Sequence, residues 1–196
     1  MTKTIDQLVD EMMLEEQVSL LGGADAWTTV PIPRLGIGSL KVTDGPNGAR
    51  GSEFIGGPRA AAYPVGIVLG SSWNTELARA IGADLAQEVK TKGAAMSLAP
   101  TVNIHRSVTN GRNFECYSED PILTAELASA YIDGLQSNGV GATIKHFAGN
   151  ESEIERTTIE SVVDERSLRE IYLIPFEWAV KKAGTRGIMS SYNQLN

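Results

Sequence analysis

Cysteine is nearly missing from this chain of 196 residues: Cys116 stands alone. No intrachain disulfide can form, and a reducing compartment suits such a sequence. Histidine is scarce too. His105 and His146 have no third ligand at a recognised metal spacing, so no metal site is expected. The glycine clusters make neither a P-loop nor a dinucleotide fingerprint, and no cofactor is implied. Basic charge is in deficit, with 17 Lys and Arg against 24 Asp and Glu, a formal charge of -7 and a pI near 4.9. That balance argues against a nucleic acid or an anionic membrane as partner, since both select clustered cations. Long hydrophobic runs are missing, for nothing approaches the roughly 20 apolar residues that span a bilayer. The opening stretch, "MTKTIDQLVDEMMLEEQVSLLGG", carries acids throughout rather than the basic-then-apolar layout of a secretory signal. Linkers and low-complexity tracts are also missing. Residues 1–196 therefore read as one domain or part of one, soluble and cytoplasmic, with a neutral or cationic ligand.

What is present is ordinary globular material, 42% hydrophobic and 21% charged, long enough to bury a sizeable core. The opening stretch reads as one amphipathic helix: Ile5, Leu8, Val9, Met12 and Met13 recur at helical spacing, and Gly22 and Gly23 stop it. Five later segments share another pattern, a short apolar run that ends in a polar cluster. "IGSLKVTDGPNGARG" reaches Asp44 and Arg50, and "GIVLGSSWN" reaches Ser71 through Asn74. "GAAMSLAPTVNIHR" reaches Asn103, "GVGATIKHFAGN" reaches Lys145 and His146, and "TRGIMSSYNQLN" reaches Ser190 through Asn193. All five are strand candidates.

Helical patterns lie between most of them. In "NTELARAIGADLAQEVKTKG", Leu77, Ile81, Leu85 and Val89 share one face, Asn74 or Thr75 can cap the start, and Gly93 ends it. "SEDPILTAELASAYIDGLQSNG" offers Asp120 as cap and Pro121 at the first helical position, with Gly139 after its end. "DERSLREIYLIPFEWAVKKAG" holds Pro175 inside, which predicts a kink or two shorter helices. Strand and helix in alternation imply an α/β fold with parallel strands and right-handed crossovers. In an open sheet and in a (β/α)8 barrel alike, ligands sit at the carboxyl ends of the strands. The polar clusters fall at those ends.

The rim so defined holds Asp44, Arg50, Arg112, Glu115, Lys145, His146, Glu153, Arg156 and Tyr192. Charged donors and acceptors of both signs suit the vicinal hydroxyls of a pyranose, which donate and accept at once. Asp44 in "TDGP" can accept from two adjacent hydroxyls, or serve as a turn residue, since Asp-Gly-Pro is a common turn signal. Glu115 and Glu153 read as partners that hold basic side chains in place. Glu119 and Asp120 read as helix-start residues. Cys116 reads as a small core residue rather than a thiol nucleophile.

"KVTDGPNGARG", "LAPTVNIHRSVTNGRNFECYSEDP", "IKHFAGNESEIERTTIESVVDERSLREIYLIPFE" and "GIMSSYNQLN" together resemble the N-terminal barrel domain of family 3 glycoside hydrolases, of the β-glucosidase type. The match runs in order along nearly the whole chain. The resemblance implies that Asp44 binds the far hydroxyls of the glycosyl unit, with Arg50 beside it. It implies that Arg112, Lys145 and His146 bind the remaining ring hydroxyls, that Arg156 braces the catalytic carboxylate or its neighbours, and that Tyr192 flanks the anomeric centre.

It also implies a retaining exo-β-glycosidase acting on a β-glucoside or related small glycoside. Such an enzyme needs two carboxyl groups about 5–5.5 Å apart, one as nucleophile and one as acid/base. In the family the nucleophile is an Asp on the strand after the "SYN" strand, and the acid/base comes from a later domain. Both are expected beyond residue 196, leaving about five of eight barrel strands here and no catalytic carboxylate. The other reading is a truncated barrel without turnover, which binds sugar or complements a second chain. A hexosaminidase of the same superfamily fits less well, because "FAGNESEIER" lacks the His-rich loop of those enzymes.

Overall fold

A computed structural model describes residues 3–51, 53 and 55–196. The chain divides into two compact units, Met1–Val42 and Thr43–Asn196, with no linker composition between them. In the first unit the expected single helix is two short ones, α1 (Ile5–Glu11) and α2 (Leu14–Ser19). Met12 and Met13 between them are extended. Local capping accounts for the break: Gln7 N donates to Thr4 Oγ1 at 3.3 Å, and Met13 N donates to the Glu16 carboxylate at 3.0 Å. No residue of either helix is buried, so the apolar stripe has no packing energy with which to keep one helix continuous.

The second unit carries the parallel α/β pattern. In chain order come β1 (Val42–Asp44, which starts at the junction), α3 (Gly66–Ser72), α4 (Thr75–Thr91), β2 (Met96–Leu98), α5 (Pro121–Ser137) and β3 (Gly141–Phe147). After these follow β4 (Glu160–Ser161), α6 (Glu165–Ser167), α7 (Ile174–Lys181), β5 (Gly187–Ser190) and β6 (Gln194–Leu195). The main sheet has the order β1-β2-β3-β5, and β3 runs parallel to both β2 and β5. β4 and β6 form a separate parallel pair. Among the described residues the main sheet thus has four strands, where the sequence pattern led to five candidates.

The fifth candidate, "GIVLGSSWN", is α3. Its buried residues are Gly66, Leu69 and Gly70, a helical spacing, while Ile67 and Val68 face outward. Glycine decides this. A Cβ at Gly66 would lie 2.3 Å from the Glu115 carbonyl oxygen, and one at Gly70 would lie 2.0 Å from that of Tyr117. The helix therefore beds its glycine face directly on the loop that carries Glu115.

Helix starts and stops follow the sequence more closely. Asn74 accepts from Leu77 N at 2.9 Å, and Asp120 accepts from Ile122 N and Leu123 N at 2.7 and 2.9 Å ahead of Pro121. Gly93 and Gly139 follow their helices with positive φ. Pro175 divides the third helical stretch into α6, a π-turn over Leu168–Tyr172, and α7. The buried face of α4 is Ala78, Ile81, Gly82, Leu85, Ala86 and Val89, so Leu77, expected inside, lies outside at 42% exposure. The small residues face inward because α5 comes so close.

Helix α5 lies between α4 and α7, and Leu85, Val89, Leu127, Tyr131, Ile132 and Leu135 join Ala142 and Ile144 of β3 in one core. The alternation of a strand then turns Thr143 and Lys145 to the opposite face. Among the described residues no helix is long and apolar enough to cross a membrane.

The α4–α5 contact yields a test. A Cβ at Gly134 would sit 2.1 Å from Arg79 O, and one at Gly82 would sit 2.3 Å from Tyr131 O. Gly to Ala within a helix ordinarily adds up to about 1 kcal/mol of stability. Here the helices must part, so Gly134→Ala should instead lose about 1–3 kcal/mol in urea denaturation. A stabilised variant would show that the backbones do not meet.

Candidate functional site

Lys145 is the most demanding residue at the strand ends. It stands on β3 with its side chain 3% exposed, and its ammonium donates to Asp44 Oδ1 at 2.7 Å. Asp44 ends β1, and its other oxygen accepts from the Arg50 guanidinium at 2.9 Å. Burial acts to raise the Asp44 pKa, but the charge and hydrogen bond of Lys145, with Arg50, outweigh it and hold the carboxyl at about 2. Asp44 is also a turn residue, since its carbonyl accepts from Arg50 N at 3.1 Å. The turn reading of Asp44 therefore holds, and its carboxylate faces the cleft.

The loop after Asp44 is fastened from the helix layer. Tyr131 of α5 donates its hydroxyl to Pro46 O at 2.8 Å. Glu88 of α4 accepts from Ala49 N at 2.8 Å and from Ala61 N at 2.6 Å. Neither residue stood out in the sequence, because each looks like an ordinary member of an amphipathic helix.

On the other flank, Glu115 is 6% exposed and takes two strong hydrogen bonds, from Arg112 Nε at 2.6 Å and from Thr101 Oγ1 at 2.6 Å. It holds the guanidinium of Arg112 beside the cleft. Burial alone would lower the Arg112 pKa, yet the Glu115 partner raises it, so the cation is secure. Asp44, Arg50, Arg112, Phe114, Glu115 and Lys145 line one cleft of about 350 Å³.

Glu153 links this cleft to the remaining residues. It lies 4.0 Å from Arg112, accepts from Arg156 at 2.8 Å and from Asn150 Nδ2 at 2.9 Å. The Arg156 guanidinium in turn sits 4.5 Å from the centroid of the Tyr192 ring. Tyr192 is 56% exposed, at the outer limit of the cluster.

His146 follows Lys145 and is 3% exposed. Burial first, then the positive charges of Arg112 and Lys145, push its pKa down to about 3 against a weaker opposing pull from Asp44. The imidazole is neutral at neutral pH. Its side chain and backbone are both bound to Asn103, a buried residue near the end of the "APTVN" segment that sequence reasoning placed at the rim without a role. Cys116 is sealed, and burial with the nearby Glu115 drives its thiol pKa far up, so it is no nucleophile.

The seven residues singled out from sequence thus converge. Asp44, Arg50, Arg112 and Lys145 line the cleft, His146 follows Lys145 on β3 within reach of the Arg112 and Lys145 charges, and Arg156 with Tyr192 joins through Glu153. Four cations and three carboxylates, Asp44, Glu115 and Glu153, nearly compensate each other. Such a cluster can offer many fixed hydrogen bonds to an uncharged, hydroxyl-rich molecule.

Known proteins resemble this chain in sequence and in fold. Residues 34–196 match the model of the glycosyl hydrolase family 3 N-terminal domain. A beta-glucosidase of Rhizobium radiobacter is 65% identical over 193 residues, which is 98% of this chain and 24% of that protein. Beta-glucosidase B of Emericella nidulans is 49% identical over 192 residues, 98% of this chain and 23% of its own length. Among solved structures, a beta-glucosidase from Kluyveromyces marxianus in complex with glucose superposes with a TM-score of 0.97 at 43% identity, covering 98% of this chain and 23% of that one. Beta-glucosidase 3B from Thermotoga neapolitana, also in complex with glucose, gives 0.91 at 41% identity, covering 99% and 30%. The chain spans about a quarter of the length of these relatives. With the family model matched from Arg34 to the last residue, the chain belongs to glycosyl hydrolase family 3, in its N-terminal domain.

Proposed function

We propose that residues 1–196 are the first part of the catalytic (β/α)8 barrel of a retaining exo-β-glycosidase of the β-glucosidase type. In this reading they supply the floor that holds the terminal glucosyl unit, and the two catalytic carboxyl groups lie outside them. Strand order supports the barrel: β1-β2-β3-β5 never reverses, and α4, α5 and α7 follow one another side by side. A doubly wound sheet would reverse its order and split its helices between two faces. A groove of about 510 Å³, lined by Phe147, Phe176, Val180 and Ile188 among others, lies beside β5, where a further barrel unit would pack.

One observation carries the assignment of the floor. Asp44 is a half-buried carboxylate, with Lys145 on one oxygen and Arg50 on the other. An ionised carboxylate has about four lone-pair positions. Lys145 and Arg50 take one each, which leaves lone-pair positions for neighbouring sugar hydroxyls. Lys145, Arg50 and Arg112 add donors around them, and His146 stands next to these. The relatives named beta-glucosidases, and the two solved with glucose, support glucose as the glycone. The second reading, a sugar-binding or complementing chain without turnover, uses the same cluster.

In the full-length protein that carries this segment, Asp44→Asn keeps the shape but loses the charge. Two charge-assisted hydrogen bonds of roughly 1.5–3 kcal/mol each predict a fall of about 10²- to 10⁴-fold in kcat/KM on nitrophenyl β-glucosides. An unchanged kcat/KM would remove Asp44 from the site. Glucose binding by a full-length protein that leaves the glycosides intact would favour the second reading.

The pH response follows from the same charges. Neither Asp44, at about 2, nor His146, at about 3, changes state in the neutral range. Their contribution to glucose affinity should stay flat from about pH 7 to about pH 4 and fall only below that, measured as the inhibition constant of glucose. Stability behaves differently. The unfolded chain protonates His146 near its ordinary value of 6.5, the folded chain only near 3. The contribution of His146 is therefore whole above 6.5 and is lost as pH falls from 6.5 to 3. A glucose affinity that follows a group titrating near pH 6.5 and vanishes in His146→Gln would contradict this placement.

A further inference from the structure

Asn103 turns both ends of its side-chain amide to His146. Its Nδ2 donates to the His146 carbonyl oxygen at 3.0 Å, and its Oδ1 accepts from His146 backbone N at 3.1 Å. These two backbone groups can act only one way, so they settle which end of the amide is oxygen. The same Oδ1 lies 3.0 Å from His146 Nδ1. An oxygen that bears no proton can meet Nδ1 at that distance only if Nδ1 is the donor. The next residue of the loop, Ile104, donates its backbone N–H to the Glu151 carboxyl at 3.4 Å. Among the described residues His146 Nε2 has no hydrogen-bond partner, and it is not among the buried unpartnered atoms, so it faces solvent-reached space.

From this geometry we infer that Asn103 is a positioning residue that locks His146 in the Nδ1–H form, so that Nε2 accepts a hydrogen bond from a sugar hydroxyl. The sugar part of this rests on the reading of the cluster as a glycone floor. The lock is complementary to its surroundings. Lys145, Arg50 and Arg112 are donors only, and an Nε2–H would add one more donor to them. As an acceptor, His146 joins Asp44 in recognising hydroxyls by their protons. Burial, with the charges of Arg112 and Lys145 behind it, depresses the His146 pKa and keeps the ring neutral, which leaves the Nε2 lone pair free. A group that merely fills the same space, a fluorine or a hydrogen, has no proton to give.

Two measurements separate this inference from the reading beneath it. Long-range proton–nitrogen correlation of the ¹⁵N-histidine-labelled protein, with His146 assigned by its loss in His146→Gln, should show Nδ1 protonated and Nε2 bare. A protonated Nε2 at neutral pH overturns the inference whether or not any sugar binds. Asn103→Asp keeps the acceptor toward Nδ1 and should retain the tautomer. Asn103→Ala removes it and should release the ring toward the Nε2–H form; a tautomer that survives in Asn103→Ala shows that the lock lies elsewhere.

The second measurement compares monodeoxy and monofluoro β-glucosides in the full-length protein. At one ring position fluorine should restore nothing over hydrogen, each costing about 2- to 12-fold in kcat/KM, as for one neutral hydrogen bond. That penalty should disappear in His146→Ala. Rescue by fluorine at that position would make His146 a donor and refute the inference. If no glucoside is bound at all, the floor reading fails, while the nitrogen spectrum still decides the tautomer lock.

Discussion

A buried ammonium must have an anion. Lys145 sits on β3 with almost no exposure, and desolvating a cation there costs several kcal/mol unless a carboxylate is held against it. Asp44, a hundred residues earlier, is that carboxylate, and removing either partner of such a pair typically loses about 3–5 kcal/mol. The ends of β1 and β3 are bound together by this contact across the intervening β2. It also fixes what the cleft is: a charged floor whose acceptor and donors are set before any ligand arrives, which is how preorganised polar sites gain their strength.

The helix layer serves this floor rather than only covering the sheet. Tyr131 and Glu88 reach from α5 and α4 to the loop after Asp44 and take up its backbone groups. The glycines of α3 seat that helix on the loop bearing Glu115, which aims Arg112. The close α4–α5 contact at Gly82 and Gly134 sets the spacing from which Tyr131 and Glu88 extend. Packing on one side of the sheet and polar geometry at its end are thus one construction, and a shift in the helices would be transmitted to Arg50 and Asp44.

Elements whose ends are set by local chemistry were legible in the sequence. Asn74, Asp120 with Pro121, Gly93 and Pro175 each do what their backbone preferences require. Elements whose type depends on a distant surface were not. "GIVLGSSWN" has the apolar content of a strand, and only the loop of Glu115 and Tyr117 lying against its glycines makes it a helix. The opening stretch has the stripe of a long helix, yet caps at Thr4 and Glu16 divide it where no core holds it together. Asn103 and Glu88 could not be recognised as site-building residues, since an Asn at a strand end and a Glu on a helix are each ordinary.

The set of Asp44, Arg50, Arg112, Lys145, His146, Arg156 and Tyr192 was implied by the resemblance to family 3 glycoside hydrolases; by itself the sequence determined the alternation of strands and helices and the placing of polar residues at strand ends. These are properties of residue type and spacing, which act over a few neighbours along the chain. Which charges neutralise which, why His146 stays uncharged, and how Asn103 orients it were decided only by the fold. Those properties depend on burial and on distances of about 3 Å between residues far apart in the chain, and no local pattern encodes such distances.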